Sequence, residues 1–263
     1  MDRESIILMC GMAAEAAIIL LLVKGRVHRT FPIFFVFLCW SLVSDLTLYC
    51  IRVSCSQDTF FQVYRVQLIL DSLMIFALLV EVAWSVLRPI RNSLPKYSWV
   101  GIAVLIALGS LILWPIAGFA APAGVATDGL NLIRLQQTPA ILRAVFFLAL
   151  AAFSHVLSIG WRDRELQITT GLGFYSIISL AVTVAHTHQA VGAGYHWLDE
   201  LGGVSYLAAL MYWVYSFATQ PAERREFSPQ MQSMLLAVAG AARTTRVALT
   251  DSASNKGSKR NDR

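Results

Sequence analysis

The chain alternates between long apolar runs and short polar ones. Seven runs, at about 5–23, 31–51, 66–86, 99–119, 140–159, 168–185 and 198–218, are each long enough to cross a bilayer as a helix. Roughly 20 apolar residues suffice, at about 1.5 Å of rise per residue. Transmembrane β-strands would instead show short segments of alternating polarity. The pattern predicts an all-α, polytopic membrane protein. Residues 1–220 would form one bundle of seven transmembrane helices, with no soluble domain.

The punctuation between runs fits this plan. All eight prolines fall at predicted helix ends or in predicted loops, so none interrupts a predicted span. The longest outer connection is read over 120–139, with "LNLIRL" as a short interfacial turn. Gly11, Gly109, Gly171 and Gly173 lie inside spans, where a missing side chain lets two helices approach closely. Beyond the bundle, Ser228 suits an N-cap and Pro229 a first helical position. Met231, Met234, Leu235, Val238, Ala242, Thr245 and Leu249 then repeat at helical spacing, with Arg243 and Arg246 on the border. An amphipathic helix at 228–249 is expected, lying on the cytoplasmic membrane face or docking a cytoplasmic protein partner. The polar, basic residues 250–263 are expected to be disordered.

Composition makes the bilayer the solvent. The chain is 57% hydrophobic and 14% charged, with a mean hydropathy of +0.61. A soluble domain carries about 25% charged residues. The net charge of +5 reports topology more than partners. Sixteen of the 21 Lys and Arg residues fall on one side of the predicted membrane, alternating loop by loop. The positive-inside rule then puts the N-terminus outside and the C-terminus in the cytoplasm of an inner or plasma membrane. No recognition motif accompanies the basic residues, so no nucleic-acid partner is expected. The weakly charged "MDRES" before the first run is the reverse of a secretory leader, so helix 1 reads as an anchor. Cys50 and Cys55, at the outer end of helix 2, leave a disulfide and free thiols both open.

Ionisable residues inside spans are expensive and mark candidate sites. Counted from the predicted outer helix ends, Asp45, Asp71 and Arg143 lie about 9, 8 and 5 Å deep. The three are read as an ion pair or as part of an outward-facing pocket for an ion or polar ligand. Glu15, Glu81 and His155 form a deeper set. Glu81 and His155 match in depth as a candidate inner polar pair, and the three together would suit a proton relay.

The stretch "HTHQAVGAGYHWLDE" (186–200) lies where helix 6 leaves the membrane and helix 7 enters. It adds His186, His196, Asp199 and Glu200 to the candidate pocket. His186 and His188 are two apart, which on a helix points them to opposite sides. His196 shares a face with Asp199 and Glu200. A zinc site from these residues is chemically reasonable, but no H-E-x-x-H signature is present. A water-exposed connection without metal is therefore expected, and no cofactor.

Several chemistries are missing. No Lys lies between Lys96 and Lys256, so helix 7 cannot hold a retinal Schiff base. There is no P-loop and no G-x-S-x-G elbow. The reading leans away from catalysis. It favours a receptor-like sensor or assembly protein with an outward-facing polar pocket, then a small-solute or ion transporter, then a membrane-embedded metal hydrolase.

Overall fold

The computed structural model describes residues 3–54, 57–87, 97–118, 127–154, 163–188 and 196–219. They form seven α-helices: α1 (Arg3–Lys24), α2 (Pro32–Ser54), α3 (Gln57–Val86), α4 (Ser98–Ala117), α5 (Thr127–Phe153), α6 (Arg164–His188) and α7 (His196–Ala218). A 3₁₀ turn, Val27–Arg29, joins α1 to α2. Each helix contains a stretch long and apolar enough to cross a membrane. The chain is an integral, multi-pass membrane protein built as a seven-helix bundle.

Six helices close a ring. α1 packs on α2 and α7, α6 on α5 and α7, and α3 on α2, α5 and α6. Among the described residues α4 touches only α3 and α5, from outside the ring. Its sequence explains this position. Leu105, Leu108, Leu111 and Ile112 stay exposed and only Ile106 and Ala117 are buried, which suits a helix bathed in lipid.

α5 begins earlier than the sequence predicts. Its first turns, "TDGLNLIRLQQTP", are polar enough to read as loop, yet they continue the helix outward from the apolar run. Pro139 is therefore inside α5, contrary to the expectation that prolines avoid the spans, whereas Pro115 lies in the last turn of α4, at a helix end as expected. A proline removes one amide and leaves the carbonyl four residues back without its donor. For Pro139 that carbonyl belongs to Leu135, and Ser72 Oγ on α3 lies 3.3 Å from it while sharing its one proton with the nearer Leu68 O at 2.8 Å. A neighbouring hydroxyl thus compensates the break in part, a device known in membrane helices. The expected helix at 228–249 and the tail at 250–263 lie outside the described residues.

Lipid tails are as apolar as leucine, so close packing and interhelical hydrogen bonds must hold the bundle together. α6 shows the packing. A Cβ added at Gly173 would overlap Phe147 Cβ and Cγ on α5. A Cβ added at Gly171 would overlap Trp213 of α7, whose indole N–H donates to Gln167 O at 3.1 Å. Gly11 and Gly109 have only ordinary contacts nearby.

The largest fully buried side chains crowd towards the end of the bundle where α1 finishes. Phe31, Phe34, Leu22, Val82, Leu166 and Ile168 all lie there. The same end is laced by polar clasps. Glu81 of α3 accepts from the Ile33 and Phe34 amides of α2 at 2.8 and 2.9 Å. Ser85 of α3 donates to Glu165 of α6 at 2.8 Å. Arg164 of α6 donates to Ser216 O and Thr219 O at the end of α7, at 2.7 and 2.9 Å.

Candidate functional site

The opposite half of the bundle is hollow. A cavity of about 400 Å³ opens there among α2, α3, α5, α6 and α7. Asp45 of α2, Asp71 of α3 and Arg143 of α5 all line it. The longer helices place Asp71 and Arg143 deeper than the predicted spans imply. Asp71 is about 21 Å from the start of α3 and Arg143 about 24 Å from the start of α5, by helical rise. Both helices gained length at the same end, so the two residues still share a level.

The three charges differ in what they touch. The Trp40 indole donates to Asp71 Oδ1 at 2.6 Å, which fixes that carboxyl against the wall. Asp45 makes no hydrogen bond or ion pair with the described residues. Arg143 does not form the direct ion pair its depth suggests. Among the described residues no carboxylate lies within ion-pair distance of it, although its charge and that of Asp71 interact. Its guanidinium sits over the Tyr175 ring, 5.7 Å from the centroid, and its Nε is buried with no hydrogen-bond partner. Gln67 Oε1, also on the wall, is buried without a partner. Such groups are expensive to leave unpaired.

Behind the wall lies Glu15, fully buried at 0% exposure. Its Oε1 accepts from Ser41 Oγ at 2.8 Å and from the Tyr206 hydroxyl in a short hydrogen bond, while Oε2 has no partner. Ser41 and Tyr206 both face the cavity. Because each hydroxyl gives its proton to Glu15, each is left with oxygen lone pairs that can only accept. Tyr175 packs edge-on against Tyr206, 5.3 Å between centroids, and holds that ring in place. The cavity therefore offers two carboxylates, hydroxyl acceptors and aromatic faces, with one guanidinium. Aromatic faces and acceptors suit an ammonium group, and a guanidinium suits a carboxylate or phosphate.

The remaining candidates divide. His186 and His188 fall in the last turn of α6, while His196 and Asp199 open α7. Their side chains lie outside the described residues, as does the whole of His155. Glu200 is half-buried in the first turns of α7, where Gly202 and Gly203 reach the cavity. Both Glu81 oxygens are taken by α2 amides, so Glu81 acts as a clasp, while the expected partner His155 lies outside the described residues. Among the described residues no group of three His, Cys, Asp or Glu is placed to hold a metal ion.

Sequence reasoning missed the neutral wall. Tyr64, Gln67, Gln136, Tyr175 and Tyr206 line the cavity, and only helical phase against a known neighbour would have selected them. The signal for Tyr206 and Ser41 was Glu15, a buried carboxylate that had to find donors.

No protein-family model, curated protein or solved structure matches the chain.

Proposed function

We propose that the protein is a receptor-like membrane sensor whose cavity takes a small zwitterionic solute, an ammonium and an anionic group on one short frame. The observation that carries this reading is that Asp45 and Arg143, each without a hydrogen-bond or ion-pair partner among the described residues, line one cavity of about 400 Å³. A ligand ammonium would sit among Asp45, Tyr206 and Ser41, and its anionic end would meet Arg143. Carboxyls outnumber the guanidinium, so a purely anionic solute is disfavoured. The basic bias places the cavity on the outer side, and the helix expected at 228–249 supplies a cytoplasmic element that could pass the signal to a protein partner.

Binding to purified protein tests the reading, with glycine betaine, alanine, choline, acetate and glycerol as probes. A zwitterion should bind tighter than any of the three others. Asp45→Asn and Arg143→Gln should each weaken it by about thirtyfold or more, as when one partner of a buried charge pair is removed. Equal binding of glycerol, or unchanged affinity in both variants, would sink the proposal.

A small-solute transporter is the second reading, supported by Pro139. Transport sites often sit at proline breaks in spans, and Pro139 lies inside α5 and lines the cavity. Uptake of the bound zwitterion into proteoliposomes separates the two. A sensor binds without uptake.

Orientation has its own test. Reporters fused after Arg263 and inserted near Asp128 should report opposite sides, the first cytoplasmic. The same side for both would refute the topology.

A further inference from the structure

A second cavity, about 520 Å³, lies at the other end of the bundle, between the end of α1, the turn into α2 and the ends of α6 and α7. Lys24, Arg26 and Arg164 line it, and no carboxylate is among the described residues of its wall. We propose that this cavity is a binding site for a phosphate group, carried by an anionic lipid headgroup or by a free phosphate.

The three cations do not play one part. Arg164 is partly used, because its Nη atoms donate to Gln167 Oε1 and to the Ser216 and Thr219 carbonyls. None of these acceptors is ionised, so the guanidinium keeps its full positive charge. Its Nε is buried and has no hydrogen-bond partner. The Lys24 and Arg26 side chains have no hydrogen-bond or ion-pair partner among the described residues. Lys24 stands in the last turn of α1, where a cation favours the carbonyl end of the helix. Arg26 lies beyond the helix end. It holds a left-handed backbone, φ 54°, the only non-glycine residue to do so among the described residues, and it lines the cavity. Asp163 and Glu165 flank Arg164 in sequence but do not line the cavity, and Glu165 accepts from Ser85.

A phosphate group matches this set. Its oxygens can meet the guanidinium fork of Arg26 and the ammonium of Lys24 together. Basic pockets between helices at the cytoplasmic side are a recurring way to hold anionic headgroups, and the charge bias assigns this end to the cytoplasm. Thr30, also on the wall, adds a hydroxyl donor.

The test uses the full chain. Protein in nanodiscs of phosphatidylcholine doped with phosphatidylglycerol is examined by native mass spectrometry for retained lipid, and inorganic phosphate is titrated separately into detergent-solubilised protein. The double variant Lys24→Gln/Arg26→Gln should bind about thirtyfold more weakly, the product of two cations beside one headgroup. Both residues are exposed, so the variant should unfold at the wild-type temperature, which a thermal scan checks. Retention of phosphatidylglycerol that phosphate does not displace identifies a lipid site. Displacement or direct binding by inorganic phosphate identifies a free-anion site. No preference for phosphatidylglycerol together with no phosphate binding, or equal binding by the double variant, overturns the proposal.

Discussion

Gly173→Ala is expected to destabilise the bundle by roughly 2–3 kcal/mol, the upper part of the range for overpacking a tight contact. One methyl group has this effect because of what it meets. The new Cβ would overlap Phe147 Cβ and Cγ and lie 2.6 Å from Cδ1. The Phe147 Cβ is fixed by the α5 backbone, so a rotamer change cannot clear it. α5 and α6 would have to separate, in a solvent that offers no hydrophobic force to close them again. Gly101→Ala is the contrast. Nothing lies within 4 Å of a Cβ there, and the better helix former should stabilise by up to about 1 kcal/mol. Denaturant titration of both variants in detergent reads the difference. Losses of the same sign and size would show that glycine flexibility, not helix contact, matters at 173.

Glu81→Ala is expected to cost roughly 2–4 kcal/mol, from two buried amides left without an acceptor. The size follows from how α2 begins. Phe31 occupies the N-cap, since its carbonyl accepts the first helical bond from Phe35. A phenylalanine side chain cannot cap, so the Ile33 and Phe34 amides would be left bare at the end of a span. Glu81 reaches across from α3 and takes both. Glu81→Gln retains one carbonyl oxygen and should lose less than half as much. Hydrogen exchange at Ile33 and Phe34 gives a direct readout. Protection that is the same in wild type and Glu81→Ala would mean that the cap contributes nothing.

Much of this fold was legible because lipid enforces a simple rule. A backbone without water must be helical, so apolar length alone located seven helices to within a few residues at most ends. The start of α5 escaped because the rule applies only within the hydrocarbon. Polar residues such as Asn131, Arg134 and Gln136 can continue a helix past it or face a cavity within it. The site was half legible. Depth brought Asp45, Asp71 and Arg143 to one level, since charges in lipid must point inward. Depth said nothing about azimuth. The tyrosines around the cavity, and the turn of Arg143 towards Tyr175 with no carboxylate among the described residues in ion-pair reach, follow from helix rotation, which apolar runs this uniform do not encode. The partners of Glu81 escaped for another reason. They are main-chain amides, which leave no trace in residue type. The only clue was negative, a helix starting at Phe31-Pro32 with no capping side chain of its own.

Glu81, Ser85 and Arg164 all bind helices together at one end, while Asp45 and Gln67 Oε1, without a hydrogen-bond partner among the described residues, mark the other. The molecule is therefore built like a sprung peg. Strain applied at the end that holds Asp45 is levered about the clasped one. A solute that draws Asp45 towards Arg143 would tilt α2 about its clasped end, and a displacement at the mouth would arrive there as a small rotation.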